Sequence, residues 1–450
     1  MVGTQTIPQR RWSERRKERP VVRFLHTADW QIGMTRRFLA GEAQARFAQS
    51  RVDAIRRLGR VARDQGCAFV VVCGDVFESN QLTPQTVRRA LDALREVPVP
   101  VYLLPGNHDP LDAMSVWTSP VLHGEAPEHV HVLDATGPRE VAPGVELVAA
   151  PWRSKHPGRD LVAEALATVP VGPAPEGVVR VVVGHGAVDE LDPDRRNPAT
   201  IATGPLLAAL AEGRIHYVAL GDRHSRTEVA GTAAIGYPGA PEPTSWREDR
   251  PGDVLVVEVA PGEPARVTPH HVGTWAFHLV SERLGSDADL DRLDSVLTAI
   301  SDKDRAIVRL ALTGELTVAQ HARLEELCTR HRDTLAVLDR WGRHTDLAVL
   351  DDDTEWADLG LGGFLATAVE EIRAWARPVA PVGGVREGGV GAASVADDRR
   401  DDLLAPTGEG DPTEDEPVTG SAFVPGREDD AESARDALAL LYRLTRGGAA

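Results

Sequence analysis

The sequence predicts an α/β fold, followed by a smaller α+β unit and a C-terminal tail without a core. Short, mostly apolar runs alternate with helical stretches up to about residue 260, which is typical of sheets covered by helices on both faces. A chain of 450 residues is also too long for one compact core. Residues 378–430 are rich in Gly, Pro, Asp and Glu, so burial there cannot offset the entropy of ordering.

The first unit, residues 21–262, is predicted to alternate strands with helices. Helices are expected over residues 42–64, where apolar positions recur on one side, and over 84–95, where proline stands in the first turn. The expected strands are residues 21–25, 69–73, 99–104, 145–149, 178–183, 217–220 and 254–259.

The second unit, residues 263–377, is predicted to be a small α+β cap domain. Its pattern is β-α-β-α-β, with Thr317 suited to cap the second helix, and one more helix follows over 363–375. The expected strands are residues 275–281, 307–312 and 334–338, and the expected helices are 289–300 and 317–330.

Three terminal segments complete the predicted organisation. Residues 1–20 form a disordered basic arm, which is either solvated or in contact with phosphates. Residues 378–430 form a disordered acidic linker, and residues 431–446 return to helical periodicity. This C-terminal helix either docks in a groove of a partner or packs on its own domain.

Charge and composition limit the classes of function. A net charge of −18 argues against a uniformly basic nucleic-acid binder, although a domain that binds divalent cations also needs carboxylates. The three cysteines lack metal-type spacing. No apolar run is long enough to span a membrane, and nothing near the first residue resembles a secretory signal, so we predict a cytoplasmic protein.

Five short polar motifs each follow one of the predicted strands. Ligands of open α/β sheets bind beyond the carboxyl ends of strands, and carboxylate, amide and imidazole groups bind metals. Any one motif alone is typical of a turn, but five in this arrangement predict a metal site. The motifs are Asp29-Trp30-Gln31, Gly74-Asp75-Val76-Phe77-Glu78, Gly106-Asn107-His108-Asp109, Gly184-His185 and Gly221-Asp222-Arg223-His224.

These motifs resemble those of the calcineurin-like metallophosphoesterase superfamily, which are Asp-x-His, Gly-Asp-x-x-Asp, Gly-Asn-His-Asp/Glu, Gly-His and Gly-His-x-His. The resemblance covers residues 21–260 and implies a four-layer αββα sandwich carrying a cap domain. Three segments look like those of DNA repair nucleases of the SbcD type. They are His26-Thr27-Ala28-Asp29-Trp30, Gly74-Asp75-Val76-Phe77-Glu78 and Tyr237-Pro238-Gly239-Ala240-Pro241-Glu242.

The resemblance implies a site for two divalent metal ions. Asp75 would bridge both ions, while Asp29 and His224 would hold the first, helped by position 31. The second ion would be held by Asn107, His185 and the residue at position 222.

The resemblance also implies roles around the metals. His108 would act as general acid or stabilise the charged phosphorus centre, and Asp109 and Glu78 would orient it. Gly239 and Glu242 would shape the rim of the site.

Two positions depart from the family pattern. Gln31 and Asp222 stand where the family carries histidine. An amide oxygen is a weaker ligand than imidazole, whereas the Asp222 carboxylate coordinates well. Both changes make the site richer in oxygen, so we expect Mn²⁺ first, with Mg²⁺, Fe or Zn²⁺ as alternatives. An inactive relic is the competing interpretation, but decay would not spare the remaining ligands together.

The SbcD-type resemblance implies a substrate and partners. The expected function is metal-dependent cleavage of DNA phosphodiesters, as an exonuclease or endonuclease of DNA repair. The implied partners are DNA, an SMC-like coiled-coil ATPase and a second copy of the chain. Among the arginines near the motifs, Arg223 is the preferred phosphate contact. The alternatives are a phosphoesterase acting on a small or nucleotide phosphodiester, and a metal-poor scaffold that binds DNA or the ATPase.

Overall fold

The structure is a computed structural model that describes residues 21–192, 194, 196–350 and 363–376, together with residues 433, 434, 437, 438 and 441. The expectations for the arm of residues 1–20 and the linker of residues 378–430 lie outside the described residues. None of the described helices is both long enough and apolar enough to cross a bilayer.

The first sheet has six strands in the order β12-β11-β1-β2-β3-β4. Strands β1 to β4 are parallel, and β11 pairs antiparallel with β1. The helices α1 and α2 pack their apolar sides on its outer face. The strands are β1 (Val22–Thr27), β2 (Val70–Cys73), β3 (Val101–Leu104), β4 (Val130–Val132), β11 (Asp253–Val259) and β12 (Arg266–His271), and the helices are α1 (Glu42–Asp64), α2 (Pro84–Arg95) and α3 (Pro120–Glu125).

The second sheet also has six strands, in the order β5-β6-β7-β8-β10-β9. The helices α4 and α5 cover its outer face and bury Val162, Leu166 and Leu206 against it. The strands are β5 (Gly137–Ala142), β6 (Val145–Ala149), β7 (Val179–His185), β8 (Tyr217–Gly221), β9 (Thr227–Val229) and β10 (Thr232–Tyr237), and the helices are α4 (Leu161–Ala167) and α5 (Thr203–Ala211).

The inner faces of the two sheets pack on each other and form the central core. Valines and leucines make up most of this core, which also contains Phe24 stacked on Phe69 and set edge-on to Tyr217. The buried His26 of β1 hydrogen bonds to Tyr217 Oη and to the carbonyl oxygen of Leu220, both at 3.1 Å, and so ties the sheets together. The predicted α/β class and the four-layer αββα sandwich are therefore confirmed.

The second unit is a four-stranded sheet with helices on one face. β14 pairs in parallel with β13, β15 and β16, and the leucines of α6 and α7 are buried against the sheet. Thr317 and Gln320 form the capping box that begins α7. The elements are β13 (Ala276–Leu284), α6 (Asp287–Ala299), β14 (Ala306–Thr317), α7 (Val318–Arg332), β15 (Val337–Arg340), β16 (Asp346–Leu350) and α8 (Phe364–Ala376).

The described part of the C-terminal helix packs on this second unit. Residues 433, 434, 437, 438 and 441 are helical. Leu438 is 2% exposed and lies in one apolar cluster with Val318 and Ala322 of α7 and Val369 of α8. The observed packing is thus on the helix's own chain.

Gly221, at the end of β8, lies too close to β2 to tolerate a side chain. A Cβ at this position would collide with the carbonyl oxygen of Cys73 and the Cβ of Ala28, and backbone cannot give way cheaply. We expect Gly221→Ala to lower the free energy of unfolding by about 1–3 kcal/mol. The measurement is the urea midpoint of unfolding at unchanged slope.

Gly204 in α5 provides the matched control, because a Cβ there would meet no atom within 4 Å. Gly204→Ala should leave the midpoint unchanged or raise it, since alanine is the better helix former. Equal midpoints for the two variants would contradict the close sheet contact at Gly221.

Candidate metal centre

The predicted motifs meet at one edge of the sandwich, where the carboxyl ends of strands from both sheets come together. The first sheet contributes the residues after β1, β2 and β3, and the second contributes the end of β7 and the residues after β8. In chain order these side chains are Asp29 and Gln31, Asp75, Asn107 and His108, His185, and Asp222 and His224.

Backbone conformation singles out the same motifs. Among the described residues other than glycine, six have a left-handed φ, between 45° and 100°, and four of them are Asp29, Gln31, Asp75 and Asp222. Such a conformation costs about 1–3 kcal/mol for each residue and persists only where the surrounding structure imposes it. The strand-end turns therefore hold these side chains in an unfavourable backbone state at the edge of the sheets.

Asp29, Asp75 and His185 form the centre of the site. All three are buried, and each offers a ligand atom within 4.8 Å of those of the other two. His185 Nδ1 donates to the carbonyl oxygen of Cys73 at 2.8 Å, which leaves Nε2 directed at the carboxylates. Nε2 lies 3.4 Å from Asp75 Oδ1 and 3.6 Å from Asp222 Oδ1.

Asn107 closes one side of this group. Its amide lies 2.7 Å from His185 Nε2, and with the nitrogen on that side it also donates to Asp75 Oδ2 at 3.1 Å. The next backbone N–H, that of His108, donates to Asp75 Oδ1 at 3.0 Å. A side chain at Gly106 would collide with Asp75, so glycine there lets the two loops meet.

Burial and neighbouring charges shift the pKa values of the three carboxylates. Burial is the main reason that the pKa of Asp29 is raised to about 7, against the lowering effects of His224 and His185. Burial likewise raises the pKa of Asp222. Burial would also raise the pKa of Asp75, but the charge and hydrogen bond of His185 outweigh it and lower the value to about 2.

His224 is held by a buried carboxylate. Its Nδ1 donates to Glu248 Oε1 at 3.0 Å and lies 2.8 Å from Thr244 Oγ1. Burial would lower the pKa of His224, but the hydrogen bond to Glu248 and the charge of Asp29 raise it to about 9. A histidine oriented in this way is a more basic ligand through its other nitrogen.

The Gln31 side chain reaches the His224 ring. Its Nε2 lies 3.2 Å from His224 Nε2, while its Oε1 is buried without a hydrogen-bond partner. An unpaired buried oxygen is costly, and a cation beside His224 would satisfy it. Together with the crowded carboxylates, this orphan oxygen shows that the donor set fits divalent metal ions.

His108 lies at the open side of the site. Its Nδ1 donates to the backbone carbonyl of Glu78 at 3.0 Å, and its Nε2 stands 3.9 Å from Asp75 Oδ2. The side chain is 39% exposed, so a substrate can reach Nε2. The backbone of Glu78, and not its carboxylate, thus orients the ring.

The Asp109 side chain binds backbone groups of the loops beside His108. Its carboxylate is fully buried and accepts from the backbone N–H of Phe77 at 2.9 Å and of Gly106 at 2.7 Å. The bond from Phe77 joins the loop after β2 to the loop after β3, and the bond from Gly106 braces the loop after β3 internally. Asp109 therefore positions the loop that carries His108, without contact with a substrate.

Gly239 and Glu242, the two residues expected at the rim, lie in different surroundings. Gly239 has φ +84°, and a Cβ there would come within 2.8 Å of the His224 carbonyl oxygen, so it lies against the His224 loop. Glu242 is 1% exposed and accepts from the backbone N–H groups of Thr274 at 3.0 Å and Trp275 at 3.1 Å. It anchors the start of the second unit and is not part of the rim.

Three residues that the sequence did not indicate support the ligands. Glu248 and Thr244 hold His224, and Trp152 Nε1 donates to the carbonyl oxygen of His185 at 2.8 Å. None of the three lies in a predicted motif. Each is distant in sequence from the histidine that it contacts. Only the folded chain brings them together.

The chain is similar to known phosphoesterases and nucleases. Residues 22–226 match the family model described as calcineurin-like phosphoesterase. The DNA double-strand break repair protein Mre11 of Archaeoglobus fulgidus is 26% identical over 249 residues, which are 50% of this chain and 52% of that protein. The SbcD component of the nuclease SbcCD of Bacillus subtilis is 31% identical over 106 residues, which are 23% of this chain and 25% of that protein.

The chain thus spans about half the length of one curated relative and a quarter of the other. Among solved structures, a dimetal phosphatase from Danio rerio matches with a TM-score of 0.33 at 12% identity, over 55% of this chain and 98% of that one.

The contact between Glu248 and His224 predicts an effect on metal binding. Glu248→Gln keeps the shape but removes the charge that accepts from His224 Nδ1, so we expect the affinity for Mn²⁺ to fall about 10- to 100-fold. Isothermal titration calorimetry measures this directly. Glu128→Gln, at an exposed position, is the control and should bind like the unmodified chain. Identical affinity in both variants would mean that Glu248 does not support a ligand.

Proposed function

We propose that this chain, whose residues 22–226 form a calcineurin-like phosphoesterase domain, is a metal-dependent phosphodiesterase that cleaves DNA. The observation that carries the proposal is the convergence of Asp29, Asp75 and His185 from three strand ends into one buried group. The names of the relatives, a break repair protein and a nuclease component, support the choice of DNA as substrate.

The proposed ligands divide between two ions. Asp75 faces both halves of the site and would bridge them. Asp29, Gln31 and His224 would hold one ion, and Asn107, His185 and Asp222 the other. The orphan oxygen of Gln31 and the carboxylate of Asp222 suit an oxygen-rich centre, which favours Mn²⁺ over Zn²⁺. Two divalent cations bound there would lower the pKa of a water and stabilise the attacking and leaving oxygens of the phosphate.

His108 is the proposed proton donor. Because Nδ1 donates its hydrogen to the carbonyl of Glu78, the second proton of the imidazolium form would sit on Nε2, on the open side. From there it can be transferred to the leaving oxygen of the ester. Asp109 and the Glu78 backbone keep the ring in place while it does so.

Contacts with the DNA backbone are proposed from the arginines beside the site. The Arg223 guanidinium is partly exposed and is held by a hydrogen bond from Nε to Thr227 Oγ1 at 2.8 Å. Its remaining N–H groups suit a phosphate. Arg36 and Arg226, by contrast, are engaged with the carbonyl oxygen of Thr244 and the Asp253 carboxylate.

We assign residues 21–262 to the phosphoesterase domain, extended by β12 because that strand pairs with β11 in the first sheet, and the residues after β12 up to 377 to a cap domain. An SMC-like coiled-coil ATPase and a second copy of the chain are the proposed partners, in a cytoplasmic protein. The curated name of the Bacillus subtilis relative, which describes it as one subunit of a nuclease, supports an assembly of this kind.

The substrate is tested by comparing two phosphodiesters in the presence of Mn²⁺. We expect the purified chain to shorten or cut end-labelled linear duplex DNA. Bis-p-nitrophenyl phosphate is the small-ester comparison. Hydrolysis of the small ester alone, even with the partner ATPase added, would favour a small or nucleotide substrate. Bound Mn²⁺ without hydrolysis of either ester would favour a non-catalytic scaffold.

The role of His108 is tested by its removal. His108→Ala should lower the turnover number by about 10²–10⁴-fold, because a positioned proton donor is lost. Its affinity for Mn²⁺ should stay unchanged, since the ring is not among the proposed ligands. His156→Ala removes an exposed histidine and serves as control. Full activity of His108→Ala would remove His108 from the mechanism.

A further inference from the structure

One loop, residues 242–248, touches both the candidate metal centre and the second unit. We call it the bridging loop. It follows β10 and precedes β11, and two of its side chains, Thr244 and Glu248, contact His224. Its first residue, Glu242, holds the backbone of Thr274 and Trp275, where the second unit begins. The same short segment is therefore bound at both ends.

The metal-facing side of the bridging loop is internally braced. Glu248 Oε2 accepts from the Thr244 backbone N–H at 2.9 Å, and the Thr244 hydroxyl donates to Glu248 Oε1. His224 Nδ1 meets both groups. A change in the path of this loop therefore moves the two groups that orient His224 together.

On the other side of the bridging loop, Trp246 packs against the second unit. Its ring lies edge-on to Phe277 of β13 at 4.8 Å between centroids, and Arg309 of β14 stacks over it at 3.7 Å. Phe38 of the first domain completes the cluster at 5.1 Å. The indole Nε1 is buried without a hydrogen-bond partner, so Trp246 is held by its ring contacts.

Two arginines fix the backbone of the bridging loop from the first domain. Arg36 donates twice to the Thr244 carbonyl oxygen, at 3.2 and 3.1 Å, and Arg51 donates to the Pro243 carbonyl oxygen at 3.0 Å. These bonds set the start of the loop. Between Thr244 and Glu248, the side chain that reaches into the aromatic cluster is Trp246, so the second unit controls this part of the path.

We infer that Trp246, held by Arg309 and Phe277 of the second unit, is a positioning residue for the metal ligand His224 and acts through Glu248. The second unit thereby sets how tightly one of the two metal ions is bound. This inference rests on the proposed metal centre and not on the identity of the substrate. It assigns to the second unit a role in building the site.

The test is a titration of the full-length chain with Mn²⁺ by calorimetry, with electron paramagnetic resonance to count bound ions. Trp246→Ala and Arg309→Met should each weaken one of two binding events about tenfold and leave the other unchanged. Trp246→Phe keeps a ring and Arg309→Lys keeps a cation, so both should restore most of the affinity.

Leu293→Ala separates positioning from loss of stability. Leu293 is fully buried in the core of the second unit, on α6, away from the bridging loop. The variant should lower the thermal midpoint while binding both Mn²⁺ ions like the unmodified chain. Equal loss of affinity in Leu293→Ala and Trp246→Ala would overturn the positioning role, as would unchanged affinity in Trp246→Ala.

A failure of the proposed function can be told apart from a failure of the positioning role of Trp246. If the unmodified chain binds two Mn²⁺ ions but cleaves neither ester, the function fails while the effect of Trp246→Ala on affinity still supports the inference. If the unmodified chain binds no Mn²⁺, both are overturned.

Discussion

Three carboxylates share one space at the edge of the sandwich, and the rest of the site follows from that concentration of charge. Burial opposes ionisation of Asp29 and Asp222, whereas His185 stabilises the ionised form of Asp75. Such a group is costly unless cations balance it. Divalent metals supply that balance, so the arrangement is costly to the fold but suited to phosphate chemistry.

Holding these groups in place requires support from both sheets. The His185 ring is fixed by the carbonyl oxygen of Cys73, a residue of the other sheet, and His26 and Tyr217 join the sheets beneath the site. The strand-end turns hold four of the proposed ligands at left-handed φ. A sandwich packed through a continuous buried core is rigid enough to maintain this conformation.

Much of the architecture can be predicted because buried parallel strands are apolar throughout. β2, β3 and β8 are recognisable from such runs and are fully buried. The edge strands β5 and β12 are not recognisable in this way. In β5 and β12 most residues are exposed or half-buried and the sequence is polar, so no apolar run announces them.

The sequence by itself determined the α/β class and the set of candidate ligands, because both depend on local patterns: apolar runs, and polar motifs directly after them. The tertiary structure decided how the surrounding residues act. Glu248 lies 24 residues from His224, and Asp109 is turned toward backbone amides although it adjoins His108. Side-chain direction and contacts between distant loops depend on packing across both sheets and the second unit, which no local pattern encodes.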